Sequence, residues 1–160
     1  TQRLLERYRD EKLQRFVYAS SSSVYGDAER YPTDEALLPR PFSPYGVTKL
    51  AGEHLVLLYG RNFGIPVSAL RYFTVYGPRQ RPDMAFHKFC KAMLQGDEIP
   101  VYGDGKQSRD FTFITDAIEA NVRAWQRSAP QVEGQLKPCT SRSAFKGYRL
   151  LQSQRARATR

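Results

Sequence analysis

The sequence predicts an α/β layer fold built on a parallel sheet, on three observations. Two short runs with strand character, FVYA at 16–19 and VSALRY at 67–72, are separated by a helical pattern over 44–62. A connection with a helix in it is what a parallel pair demands, because a tight turn joins only antiparallel neighbours. The first run also empties into four consecutive serines, Ser20 to Ser23. Open α/β sheets place their chemistry at such C-terminal strand ends.

The elements follow in order. Residues 3–14 read as the end of an amphipathic helix, with Leu4, Leu5, Tyr8 and Leu13 as its apolar members. Residues 26–44 are loop, punctuated by Gly26, Pro32, Pro39, Pro41 and Pro44. Ser43 then reads as an N-cap with Pro44 at the first helical position. The helix it opens runs to about Asn62, with Leu50, Leu55, Leu58 and Tyr59 as expected core contacts, and Gly64 and Pro66 stop it. The second strand, 67–72, is followed by an irregular segment through Tyr76, Gly77 and Pro78. A helix over 83–95 has Phe86, Phe89, Met93 and Leu94 as expected core residues, and Gly96 ends it. IPVY at 99–102 reads as a strand, 103–105 as a turn, and FTFI at 111–114 as another strand. Thr115 and Asp116 begin a helix to about 127, with Ile118, Val122 and Trp125 on one face. Helices alternating with strands are the mark of α/β layering.

Composition bounds the function. A chain of 160 residues, 41% hydrophobic and 26% charged, suits one domain with one core. It has no apolar run of membrane-spanning length. The net charge of +9 is unevenly placed. After Glu133 there are seven bases and no acid, which leaves 18 bases against 16 acids in residues 1–133. The basicity belongs to the tail, so a nucleic-acid partner is not expected. Cys90, Cys139, His54 and His87 show no ligand-like spacing, and no metal site is expected. Two idle thiols suit a reducing, cytoplasmic compartment.

Tyr45 and Lys49 carry the chemistry. Four residues apart on the expected helix, they stack on one face. An ammonium beside a phenol favours the phenolate, and a phenol tuned in that way takes a proton from an alcohol and returns it. The serines at the neighbouring strand end are placed to hold the same hydroxyl. Tyr18, Tyr25 and Tyr76 read as packing residues, Ser20 as a strand-end hydrogen bonder, and Asp116 as a helix cap.

A Tyr-x-x-x-Lys pair alone is weak, but here it stands in a series. YASSSSVYG, a Pro-rich loop, SPYGVTK, LRYFTVYGPRQRPDM and VYGDGKQSRDFTFITDAIEA follow one another in one order. On these segments the chain resembles the extended short-chain dehydrogenase/reductase superfamily in its NAD-dependent epimerase/dehydratase branch. It is most similar there to the UDP-glucuronate 4-epimerase-like group. The resemblance implies a partial Rossmann-type parallel sheet, the C-terminal half of the nucleotide-binding fold, with part of a small substrate domain. It implies Tyr45 as acid/base, Lys49 as the group that tunes it and binds the nicotinamide ribose, and Ser21 as the catalytic hydroxyl. It also implies Tyr72 and Phe73 beside the nicotinamide of NAD. Ser22, Ser23, Thr74, Arg81 and Arg109 would meet a nucleotide-sugar substrate, Arg109 at the diphosphate. The reaction implied is 4-epimerisation of a UDP-sugar through a 4-keto intermediate. Alternatives are a 4,6-dehydratase, a decarboxylase, or a truncated, non-catalytic isoform that dimerises through the helix bearing Tyr45. Serines at 22 and 23, where dehydratases carry acids, favour the epimerase.

The sequence departs from that pattern at both ends. Nowhere do its glycines show the G-x-x-G-x-x-G spacing that cradles a dinucleotide pyrophosphate. Residues 1–132 are therefore expected to be a partial domain whose first three strands are missing, with no tight hold on NAD by itself. Residues 133–160 read as a basic, poorly ordered tail outside the family.

Overall fold

Two parallel strands and the helix between them form the centre of the molecule. The computed structural model describes residues 1–27, 32–99, 101, 103–106 and 108–126. Strand β1 (Phe16–Ser21) pairs in parallel with β2 (Val67–Tyr72), in a register running from Phe16 opposite Val67 to Ser21 opposite Tyr72. The crossover between them contains α2 (Pro44–Phe63). Its start is as the sequence predicts: the Ser43 hydroxyl accepts the Gly46 N–H at 3.1 Å, and Pro44 opens the helix. Gly64 ends it in the left-handed conformation, at φ 70°.

The core lies beneath this crossover. Leu5, Val56, Tyr59 and Ile65 are buried together, and Leu13, Phe16, Tyr18, Leu55 and Val67 pack against them. Leu5 comes from α1 (Gln2–Tyr8), which is shorter than the helix expected over 3–14. After Tyr8 the sequence is RDEK, with nothing to bury, and the chain turns there. Phe16 then enters the sheet by donating its N–H to the Pro66 carbonyl at 2.7 Å.

Of the expected core contacts of α2, Tyr59 is buried and Leu55 packs on the core, but the face turned to the sheet is otherwise not a leucine face. Buried on it are Gly46, Gly52, Glu53, Val56, Tyr59 and Gly60. Leu50 and Leu55 are half-buried and Leu58 is exposed. The glycines explain this: a Cβ at Gly60 would stand 2.7 Å from a Val67 methyl, and one at Gly52 would overlap the Tyr18 phenol. The helix comes so near the strands that only glycine fits, and the leucines are left on its flanks.

A second parallel pair follows. β3 (Thr74–Tyr76) lies where the sequence suggests irregular chain, and pairs with β4 (Phe111–Phe113), Thr74 opposite Phe111. A ring cluster of Tyr76, Phe86, Phe111 and Phe113 ties this pair to α3 (Ala85–Gln95). α3 buries no residue completely, and Met93 and Leu94 are exposed, against expectation. α4 (Ile114–Gln126) packs on both strand pairs with Ala117 as its buried contact. Its small side, Ala117, Ala120 and Ala124, is the covered one, which leaves Ile118, Val122 and Trp125 exposed instead of forming the expected core face. Ile99 and Val101 are not in a strand; Pro100 and Tyr102, the rest of that expected strand, lie outside the described residues, as does the tail. Among the described residues no helix is long and apolar enough to cross a membrane.

Candidate active site

The end of β1 and the start of α2 meet at the serine row. Ser21 closes β1, and its hydroxyl accepts the Ser23 N–H at 3.2 Å, folding Ser22–Val24 into a single 3-10 turn. Val24 fixes that turn from below, fully buried. The first turn of α2 rests on it: a Cβ on Gly46 would lie 2.5 Å from the Ser23 carbonyl oxygen. Tyr45, next to Gly46, is therefore held beside the serines, with its ring open to solvent.

Tyr45 and Lys49 share a helix face, as their spacing requires. The Lys49 Nζ lies 5.6 Å from the centre of the Tyr45 ring and 5.6 Å from that of Tyr18. It donates to the Ala19 carbonyl at 2.9 Å, two residues before Ser21. An ammonium carries three donors, so this bond leaves two for a ligand. Tyr18 supports the lysine from the sheet, its hydroxyl donating to the Lys49 carbonyl at 3.4 Å. Burial holds the Tyr18 phenol above its ordinary pKa.

The remaining expected residues divide into two groups. Tyr72 ends β2 directly opposite Ser21. Burial also raises its pKa, and Asn121 of α4 opposes the rise. Phe73 leads from there to Thr74, which opens β3 and donates its N–H to the Asp110 carbonyl at 3.1 Å. Ser21, Ser22, Ser23, Tyr45, Lys49 and Tyr72 thus gather at one end of the first strand pair, while Thr74 and Arg109 flank the second. Arg109 is exposed and donates to its neighbour's carbonyl, that of Ser108, at 2.7 Å. Arg81, in the loop before α3, is exposed and forks onto Asp83 at 3.0 and 2.8 Å. That fork holds the Asp83 carboxyl below its usual range. The structure does not bring Arg81 or Arg109 into contact with the tyrosine–lysine pair.

Sequence reasoning missed what lies behind the site. Glu53 is buried on α2, and its carboxylate accepts from Arg71 of β2 at 2.9 and 2.8 Å and from the Ser20 hydroxyl. The Arg71 guanidinium stacks 4.8 Å over the Tyr25 ring. Burial opposes the arginine's charge, but the bonds to Glu53 and Tyr25 outweigh it and hold its pKa above the ordinary value. The signal was available: Glu53 continues the 45–49 spacing by one more turn, and Arg71 is a charge inside an otherwise apolar strand.

A parallel strand pair with a Tyr/Lys helix over a hydroxyl-bearing strand end defines a class, and comparison with known proteins gives the family. The model of the NAD dependent epimerase/dehydratase family matches residues 1–136, and the chain belongs to that family. It is 55% identical over 118 residues to the uncharacterized UDP-glucose epimerase YtcB of Bacillus subtilis, covering 74% of this chain and 37% of that protein. It is 38% identical over 122 residues to the UDP-glucuronate 4-epimerase of Thermodesulfobacterium geofontis, covering 76% and 38%. Among solved structures, the UDP-glucuronic acid 4-epimerase of Bacillus cereus in complex with UDP-glucuronic acid and NAD superposes with a TM-score of 0.75 at 54% identity, over 79% of this chain and 40% of that one. The chain thus spans well under half the length of the relatives it matches.

Proposed function

We propose that residues 1–132 carry the proton-transfer and sugar-binding part of a nucleotide-sugar 4-epimerase acting on a UDP-hexuronate or UDP-hexose. They would represent the C-terminal half of the Rossmann sheet with the beginning of the substrate domain. The observation that carries the reading is Lys49, fixed by the Ala19 carbonyl within 5.6 Å of the Tyr45 ring, at the edge of the serine row.

In this reading Tyr45 removes the proton from the sugar C4 hydroxyl and later returns it. Lys49 would hold the nicotinamide ribose with the two donors that its bond to the Ala19 carbonyl leaves. Ser21 holds the hydroxyl during transfer, and Ser22 and Ser23 line the ring. Tyr72 and Phe73 would flank the nicotinamide, and Thr74, Arg81 and Arg109 would meet a substrate that spans both strand pairs. NAD, when bound, supplies the acceptor and donor of hydride.

The fit to that cofactor is partial. The nicotinamide end has Lys49 and Tyr45. At the pyrophosphate end we expect no cradle: among the described residues the glycines that pack closely face the chain itself, Gly26 the Arg40 carbonyl, Gly46 that of Ser23, Gly52 the Tyr18 phenol, Gly60 Val67 and Gly77 Ile114. Calorimetric titration of the 160-residue chain with NAD+ should show no tight binding; a micromolar constant would overturn this part. The catalytic part is tested by grafting residues 1–126 in place of the matching segment of the Bacillus cereus enzyme. The graft should interconvert the C4 epimers of UDP-glucuronate and lose that activity with Tyr45→Phe. An active Tyr45→Phe graft would sink the assignment, and a dehydrated or decarboxylated product would move it to another reaction of the family.

A second reading rests on one face of α2. Val47, Ala51, His54 and Leu58 are all exposed and lie on one stripe. We propose that this stripe pairs with its copy in a homodimer, in a cytoplasmic setting. Sedimentation that stays monomeric at high micromolar concentration would refute it.

A further inference from the structure

We infer that Glu53 is a positioning residue for the site, acting through Lys49 and the strand ends; this rests on the epimerase reading. Its network repeats the site one step further in. Ser20, Arg71 and Glu53 stand beside Ser21, beside Tyr72 and one helical turn after Lys49, respectively. Ser20 and Arg71 are opposite one another in the β1–β2 register, and both bond the same carboxylate. The next pair in register is Ser21 and Tyr72, whose side chains belong to the other face by the period of a strand.

The arrangement latches α2 to the sheet at two successive levels. At the outer level the Lys49 ammonium holds the Ala19 carbonyl. At the inner level Glu53 holds Ser20 and, by a two-pronged bond, Arg71. A planar guanidinium against a carboxylate fixes angle as well as distance. The outer level, the Lys49 bond and the longer one from the Tyr18 hydroxyl to the Lys49 carbonyl, is a pair of single-point contacts outside the buried core, and neither fixes the angle of the helix. Glu53 fixes that angle, because it is buried and both of its oxygens are used. The helix phase that Glu53 sets is the one that brings Lys49 between the Tyr18 and Tyr45 rings. A buried charge pair is a poor source of net stability, and geometric specification is its better-attested use.

The test reads geometry in the 160-residue chain itself. Two aromatic rings near its ammonium shift the ε-methylene protons of Lys49 upfield, and a Lys49→Arg variant assigns the signal. Glu53→Gln should move that signal toward the position of an exposed lysine and weaken its cross-relaxation to the Tyr45 ring. The single change also leaves Arg71 without its partner, so the double variant Glu53→Gln/Arg71→Met carries the decision. It should recover the unfolding midpoint but not the Lys49 shift. A recovered midpoint together with a wild-type Lys49 shift would reduce Glu53 to a structural role and overturn the inference. Ser20→Ala keeps the ion pair, and it should displace the Lys49 signal by a smaller amount; no displacement again counts against the inference. None of these readings depends on turnover. An inactive graft with a displaced Lys49 signal sinks the epimerase reading alone, and an active graft with an unmoved signal sinks the latch alone.

Discussion

Gly46→Ala is the sharpest probe of how α2 meets the serine turn. On an open helix surface the change stabilises, because alanine exceeds glycine in helix propensity by about 1 kcal/mol. Here the added methyl would stand 2.5 Å from the Ser23 carbonyl oxygen and 2.9 Å from the Pro41 Cβ. Real Cβ contacts do not fall below 3.0 Å, so the first turn of the helix must lift by about 0.5 Å or more from an obstacle that is backbone and cannot rotate away. Overpacking costs about 1–3 kcal/mol, and a rigid backbone obstacle puts this site in the upper part of that range, which outweighs the propensity gain and makes the net effect destabilising. The lift also acts on Tyr45, the adjacent residue. A displacement near 1 Å at a reacting group costs about 100-fold in rate, so the graft should lose roughly one order of magnitude or more for half that distance. Urea unfolding of the 160-residue chain and the epimerisation rate of the graft check the two halves separately. A variant more stable than the parent, or one with an unchanged rate, would show that the helix does not bear on the Ser23 carbonyl, and the geometry derived for the site would fail with it.

Four further outcomes are expected. Glu53→Ala should destabilise by about 3–5 kcal/mol in chemical denaturation, because it strands Arg71 in a site where only 16% of that side chain is exposed; a loss under 1 kcal/mol refutes the burial argument. Ser43→Ala removes the acceptor for the Gly46 N–H and should cost about 1 kcal/mol, measured in the same way. Burial raises the phenol pKa of Tyr18, Tyr25 and Tyr72 in the folded chain. Their contribution to stability is thus complete below the ordinary tyrosine value of about 10 and is lost as pH rises from there through the folded-state values. Unfolding midpoints should accordingly fall above about pH 10, and Tyr25→Phe should flatten that fall, while an equally steep fall in Tyr25→Phe removes the cause assigned to Tyr25. Gly52→Ala should be rescued by Tyr18→Leu, since the added methyl would meet the Tyr18 hydroxyl and ring; additive losses in the double variant would show that the two residues do not touch.

What the sequence made legible was whatever local chemistry decides. The start of α2 is written in Ser43 and Pro44 and its end in Gly64, and the structure has both. The parallel pairing of β1 and β2 follows from a helix in the connection. The Tyr45–Lys49 face follows from helical spacing, and the two groups are together. What remained hidden depended on partners far along the chain. β3 is three residues long, and only β4, some 37 positions later, makes it a strand. Hydrophobicity places Leu55 correctly against the core but also places Leu58 of α2 and Ile118, Val122 and Trp125 of α4 there, and these are exposed; the sides nearest the strands are those that allow close approach, glycines on α2 and alanines on α4. Arg71 and Glu53 are charges that propensity assigns to the surface; their burial depends on their meeting across 18 residues of sequence.

The division of labour between the two sheet faces follows from the same pairing. Residues of one strand alternate between faces, so the last two register pairs of β1 and β2 must serve different neighbours. Ser20 and Arg71 are committed to α2 through Glu53, and this commitment satisfies three polar groups that would otherwise be costly to bury. Ser21 and Tyr72 are thereby left at the strand ends, one hydroxyl folding the serine turn and the other raised in pKa against α4. Ser20 and Glu53 are buried more completely than Ser21, and neither faces substrate in the proposed reaction. With Arg71 they set the angle at which Tyr45 and Lys49 do so. Substitutions at Ser20, Glu53 or Arg71 should therefore alter the alignment of Tyr45 and Lys49 without removing any group that transfers a proton.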